Sequence, residues 1–223
     1  MNAFYDLPKF LQWIAALIIL FLGFYPAILI VEAGANQPLY YLLFFVYLPI
    51  GQFITTPIFR LLGVYKYYSP MLLAYMENKK QIDLHNGSSF DYLFVLRKYK
   101  KGAEIRRKII KYHLEGLLEI IDEIEKGSIP SSVSIVGTSY FFSERTLRKL
   151  GFETQKPSFF YRINLFMNCI DLFWMYSLSR GKLSIPQIWR AKKAHIPGAE
   201  LIKSRQTIIE LNQSLNNSSK VNN

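Results

Sequence analysis

The hydrophobic pattern divides the chain into an N-terminal part that is apolar without period and a longer remainder in which apolar and charged positions alternate. Residues 10–31 form a run of 22 without a charge, and residues 39–59 a second run of 21. As a helix the first would measure about 33 Å against a hydrocarbon core of about 30 Å. With only Glu32-Ala33-Gly34-Ala35-Asn36-Gln37-Pro38 between the runs, residues 1–60 are expected to form a transmembrane helical hairpin. The second span holds Pro49, Gly51, Gln52, Thr55, Thr56 and Pro57, which bend a helix and offer polar atoms, so that side should be kinked or packed on protein.

Basic residues set the direction. Lys9 precedes the first span, the connector has no Lys or Arg, and Arg60, Lys66, Lys79 and Lys80 follow the second. The positive-inside rule then puts both termini and the main domain of an integral membrane protein in the cytoplasm. Ala33-Gly34-Ala35 also resembles a signal-peptidase site, and cleavage there would leave residues 60–223 cytoplasmic as well. Residues 61–80, with Tyr65, Tyr67, Tyr68 and Tyr75, read as an aromatic interfacial connector.

In the remaining domain, residues 81–215, the pattern becomes α/β. Residues 81–85, the Asn86-Gly87 turn and residues 88–96 read as a β-hairpin, because Asn-Gly accepts a type I′ turn. His85 and Asp91 are its titratable groups and the candidate catalytic residues; this register places them on opposite sides of the ribbon. Residues 103–126 have helical spacing, with Ile105, Ile109, His113, Leu117, Ile120, Ile121 and Ile124 on the buried face. Glu104–Lys108 and Asp122–Lys126 are available as i,i+4 pairs. Residues 132–141 read as a strand, Ser143 as the cap of a short helix over 144–150, and Gly151-Phe152 as its stop. Residues 158–179 suit an interfacial or core helix, with strands also open. Asp171 near the centre opposes a third span by about 2.5–3.5 kcal/mol. Ile185-Pro186 and Ile196-Pro197-Gly198 mark an irregular basic stretch, residues 199–215 a last helix, and 216–223 a polar disordered tail.

Charge changes this picture at one place. The chain carries 27 Lys and Arg against 16 Asp and Glu, a net +11, and 26 of the bases lie beyond Phe59. Eight of them fall between Arg97 and Lys111, with Glu104 the lone acid among them. Bases thus crowd the N-terminal end of the long helix and acids its far half, the reverse of what the macrodipole prefers. An anion at that end would relieve the conflict, since free amides after Gly102 and ringing Lys and Arg suit a phosphate. An anionic lipid surface and a merely solvated face are the other readings. The run lacks the exposed aromatics of a stacking platform, which argues against nucleic acid. A single cysteine, Cys169, excludes a disulfide framework, and no metal-ligand spacing occurs among the histidines at 85, 113 and 195.

Strand, basic glycine loop, long helix, strand, short helix and the turn Leu150-Gly151-Phe152-Glu153 follow one another over residues 88–155. This order resembles the second half of the GNAT acyl-CoA N-acyltransferase superfamily. The resemblance implies that the loop and helix start hold the pyrophosphate of acyl-CoA, by position at Lys100, Lys101, Gly102, Ala103 and Glu104, with Arg106 one turn in. The chain departs from the family's Arg/Gln-x-x-Gly-x-Gly/Ala signature at Tyr99 and Glu104, and Leu147 stands where a tyrosine is frequent. The resemblance implies a membrane-anchored acyltransferase using acyl-CoA, without a metal, on an amine or hydroxyl of a lipid or membrane-bound acceptor. The competing class is a non-enzymatic adaptor whose basic face binds anionic head groups or a partner protein.

Overall fold

A computed structural model describes residues 4–75, 80–139 and 144–220. Helix α1 (Lys9–Asn36) starts after Pro8 and includes Pro26. Its apolar side chains, among them Phe10, Phe21, Leu22 and Tyr25, are exposed around the helix, and only Ala16 and Gly34 are buried. At 28 residues it extends about 42 Å, long and apolar enough to cross a bilayer. A 3-10 helix (Pro38–Leu43) then leads into α2 (Phe44–Leu61). The axis bends by 56° between Tyr47 and Ile50, beside Pro49, which has no N–H to give the helix.

Small residues let the two segments meet. A Cβ on Gly23 would lie 2.4 Å from Ile54 Cδ1, and one on Gly34 2.5 Å from the Tyr41 ring. The Tyr47 hydroxyl donates to the Gly23 carbonyl. Because 34 meets 41 and 23 meets 54, the segments run in opposite directions. Thr55 and Thr56 donate back to the Gly51 and Gln52 carbonyls at 2.9 and 2.7 Å, which satisfies hydroxyls that would otherwise be costly in an apolar setting.

The rest is a mixed sheet with helices. Strands β1 (Tyr65–Ser69), β2 (Leu72–Tyr75), β3 (Gln81–Asn86), β4 (Ser134–Ser139), β5 (Glu153–Gln155) and β6 (Lys192–Pro197) lie in the order β1-β2-β3-β4-β6-β5. The β3–β4 pair is parallel and its neighbours antiparallel. The connection between these two strands contains α3 (Ser89–Leu96) and α4 (Ala103–Glu125). Then come α5 (Glu144–Lys149), α6 (Phe159–Met167), α7 (Cys169–Arg180), α8 (Gly198–Lys203) and α9 (Arg205–Lys220). Alternate strand residues, Leu72, Ala74, Ile82, Leu84, Ile135 and Ile196, form one core with Leu114, Leu117, Ile120, Ile121, Leu201 and Ile208 of α4, α8 and α9. Gly116 brings α4 close to Leu72. Arg205 ties α9 to Asp122 and Glu125 at 2.5 and 2.7 Å.

Several expectations are corrected. Residues 88–96 form α3 rather than the second strand of a hairpin: Ser88 caps it and Asp91 answers from the third position in a capping box, while the Gly87 amide donates to Met71. A short, mostly apolar run suits a buried helix as well as a buried strand, and the cap decides. Within the stretch read as an interfacial connector, Tyr65–Ser69 and Leu72–Tyr75 are strands β1 and β2 at the edge of the sheet, since tyrosines favour a half-buried pleated surface. The stretch read as irregular contains β6. Residues 158–179 are two helices of 9 and 12 residues, too short to span. Helix α9 continues to Lys220 through the expected tail, each further residue adding a backbone hydrogen bond. Glu104 accepts from the Lys100 amide and Asp122 pairs with Arg205, in place of the anticipated Lys108 and Lys126. Ser143 lies outside the described residues.

Candidate functional site

The two parallel strands part at their carboxyl ends. Leu84 opposite Gly137 is their last pairing. Beyond it, His85 and Asn86 pair with Leu73 and Leu72 of β2, whereas residues 138 and 139 pair with Lys193 and Lys192 of β6. A crevice outside the carboxyl ends of parallel strands is where open α/β sheets hold ligands. At the β3 side lies a cavity of about 290 Å³, lined by His85, Tyr65, Tyr75, Tyr161, Asp171 and, from α2, Gln52. It sits on the sheet face opposite α4, because His85 and Tyr75 alternate with the core residues Leu84 and Ala74.

His85 packs its imidazole on Tyr75, with ring centroids 4.0 Å apart, and its Nε2 lies 3.5 Å from Asp83 Oδ2. Asp83 and His85 share a face because they are two apart on β3. The carboxylate partner of this histidine is therefore Asp83, and Asp91 lies elsewhere. Tyr65 and Tyr75 hydrogen-bond each other, and burial raises both above the ordinary phenol range, so they remain neutral donors. Asp171, in the first turn of α7, is buried and accepts from Ser89 and from Trp174 Nε1, the latter at 2.9 Å. Burial raises its carboxyl, against the pull of those two hydrogen bonds. The cavity thus combines an imidazole with a carboxylate nearby, neutral phenol donors and a carboxyl with increased affinity for a proton. Period-two spacing on β3 would have found Asp83; Tyr65, Tyr75 and Tyr161 had no local signal.

Asp91 is held by four donors: Tyr5 Oη at 2.5 Å, Tyr67 Oη at 2.8 Å, and the Ser88 amide and hydroxyl at 2.8 and 3.0 Å. Burial raises its carboxyl and that of both tyrosine hydroxyls. The Arg60 guanidinium stacks on the same two rings, 3.6 and 4.3 Å from their centroids. This network joins the chain start, the end of α2, β1 and α3, and its geometry is structural. His113 is buried on α4 as expected, hydrogen-bonded to the backbone of Ile109, with desolvation lowering it to about 4.

Two amides of the basic loop, those of Lys100 and Gly102, have partners within the chain. Gly102 has φ +94° and ψ −128°, a conformation only glycine adopts readily. Its amide donates to the Leu178 carbonyl at 2.8 Å, and its Cα meets Gly181. The carbonyl end of α7 therefore lies against the amide end of α4, a favourable arrangement of the two dipoles. Lys100, Lys101, Ala103 and Arg106 are exposed around this junction, and Glu104 occupies the Lys100 amide at 3.0 Å. Helix α7 links loop and cavity: Asp171 and Met175 line the cavity, and Gly181, about 15 Å further along the helix, abuts Gly102.

Among the described residues, no cluster of three or more His, Cys, Asp or Glu side chains could hold a metal. No protein-family model matches the chain, and neither a curated protein nor a solved structure does.

Proposed function

We propose that the chain is a membrane-anchored, GNAT-like acyltransferase, with α1 and the bent α2 as its two spans and both termini in the cytoplasm. The observation that carries the reading is the cavity at the carboxyl end of β3, where His85, Tyr65 and Tyr75 converge beside Gln52 of a candidate span, with Asp83 3.5 Å from His85. The succession β3, α4, β4, α5 and the Leu150-Gly151-Phe152 turn supports the family resemblance, with β3 in the strand's place and α3 inserted between it and the basic loop. The donor is acyl-CoA, its diphosphate near Lys100, Lys101 and Arg106 and its thioester reaching the cavity along α7. The acceptor is an amine or hydroxyl presented at the membrane. His85 takes the acceptor's proton as its lone pair attacks the thioester carbonyl; a tyrosine hydroxyl steadies the carbonyl oxygen. The C–S bond then breaks and the CoA thiolate leaves, to be protonated from His85.

The test uses the full chain in lipid discs containing phosphatidylethanolamine, supplied with acyl-CoA of several chain lengths, with free thiol as the readout. His85→Gln should lower turnover by about 10²–10⁴ while CoA binding persists, and Lys100→Ala with Lys101→Ala should raise KM. A folded wild-type chain that neither binds CoA nor releases thiol would overturn the enzyme reading and leave the adaptor, whose basic face would bind anionic vesicles without a donor.

A further inference from the structure

On the other face of α7 two concavities join. One is an apolar trough of about 300 Å³, lined by Cys169, Ile170, Phe173, Ile185 and Trp189 with almost no polar surface. The other, about 530 Å³, holds Lys156, Arg162, Arg190 and Lys192 against one acid, Glu144. Pro186, Ile188 and Trp189 line both, so the two are continuous. Each has the size of an ordinary ligand pocket.

The charges in the second concavity are not balanced from within. Glu144 is engaged by Lys192 at 2.6 Å and Arg148 at 2.8 Å, and those hydrogen bonds hold its carboxyl below the ordinary range. Among the described residues no carboxylate forms an ion pair with Lys156, Arg162 or Arg190. The surroundings are apolar and uncovered: Phe166 is 63%, Ile185 74% and Trp189 66% exposed. Trp189, with an apolar ring and a polar edge, suits the boundary between lipid chains and head groups.

Position supports a lipid occupant. Cys169 and Ile170 follow directly on Asn168, which lines the same cavity as Gln52. Gln52 precedes Arg60 by eight residues of α2, about 12 Å toward the middle of the candidate span. Helix α7, which carries the trough, thus packs beside α2 of the candidate span.

We infer that one anionic phospholipid of the bilayer docks here, its chain in the trough of Ile170, Phe173, Ile185 and Trp189 and its phosphate against Lys156, Arg162 and Arg190. The site faces away from Asp171 and His85, so it seats the domain on the membrane and is not the place of reaction. It rests on the proposed membrane placement and not on acyl transfer.

The full chain is reconstituted in phosphatidylcholine discs carrying either chain-brominated phosphatidylglycerol or chain-brominated phosphatidylcholine. The fluorescence of Trp189 is taken as the difference between wild type and Trp189→Phe. Quenching by the brominated anionic lipid should exceed that by the neutral one several-fold. Arg162→Gln with Arg190→Gln, both on the surface and checked by circular dichroism, should abolish the preference, at roughly fivefold in affinity for each arginine. Inorganic phosphate at constant ionic strength should leave the preference unchanged; displacement by phosphate would show a soluble-anion site and overturn the lipid assignment. Equal quenching by the two lipids would overturn it too, leaving acyl transfer untouched. Failure to enter discs at all would remove the membrane placement and this inference together.

Discussion

Acidification should expose the burial of His113 as a measurable loss of stability. In the unfolded chain the imidazole titrates near its ordinary 6.5, whereas in the fold desolvation lowers it to about 4. Between these values the unfolded state binds the extra proton. The contribution is therefore fully present above about pH 6.5 and is lost as pH falls toward 4. A separation of that size corresponds to about 3 kcal/mol at most, and the group is too buried for solvent screening to reduce it. Asp91 and Asp171 act in the opposite sense, because burial raises them and protonation favours the fold. The raw pH dependence mixes these terms, so the informative quantity is the difference between wild type and His113→Leu, in which the aspartates cancel. At pH about 7.5 the two should agree within about 1.5 kcal/mol, the leucine losing the bond to Ile109 and gaining apolar burial. Between there and pH about 4.5 the difference should move in the leucine variant's favour by about 2–3 kcal/mol. Denaturant titration of the full chain in detergent micelles, followed by tryptophan fluorescence, measures both. A difference that stays flat from pH 7.5 to 4.5 would refute the reasoning and mean that water reaches this face of α4.

Gly102→Ala should cost about 1–3 kcal/mol in the same assay without any ligand, because φ is +94° and the new Cβ would meet Gly181 at 3.4 Å; Lys101→Ala should stay within about 0.5 kcal/mol. Tyr67→Phe removes one donor from the buried Asp91 carboxyl and should cost about 1–3 kcal/mol. Asp171→Asn should leave the protein at least as stable at neutral pH. The raised carboxyl contributes stability below its ordinary value, lost as pH rises through the raised one, and the amide oxygen can still accept from Ser89 and Trp174; denaturation midpoints across pH check the sign.

What the sequence determined by itself was local. The uncharged run of α1, the buried stripe from Ile105 to Ile124 and the glycine stop at Gly151 depend on helical spacing and on the backbone freedom of single residues. They are legible because a helix bonds to itself within four positions. The cap of α3 was equally local, written as Ser88 and Asp91 three apart, but the apolar stretch from Tyr92 to Leu96 and the Asn86-Gly87 turn signal masked it.

Strand identity and the cavity were decided only by tertiary structure. Lys192-Lys193-Ala194-His195-Ile196-Pro197 is a strand because β4 and β5 take its hydrogen bonds on either side. Residues 65–75 are an edge because β3 pairs with β2. The β3–β4 pairing ends at Leu84 and Gly137, and the chain beyond each is held only from its other edge, by β2 and by β6. His85 therefore packs on Tyr75 and shares a cavity with Tyr161 and Asp171, and Gly102 meets Leu178 and Gly181 rather than open solvent. Sheet pairing and helix docking join residues far apart in the chain, and no spacing along the sequence encodes which distant partner completes a hydrogen bond or fills a cavity wall.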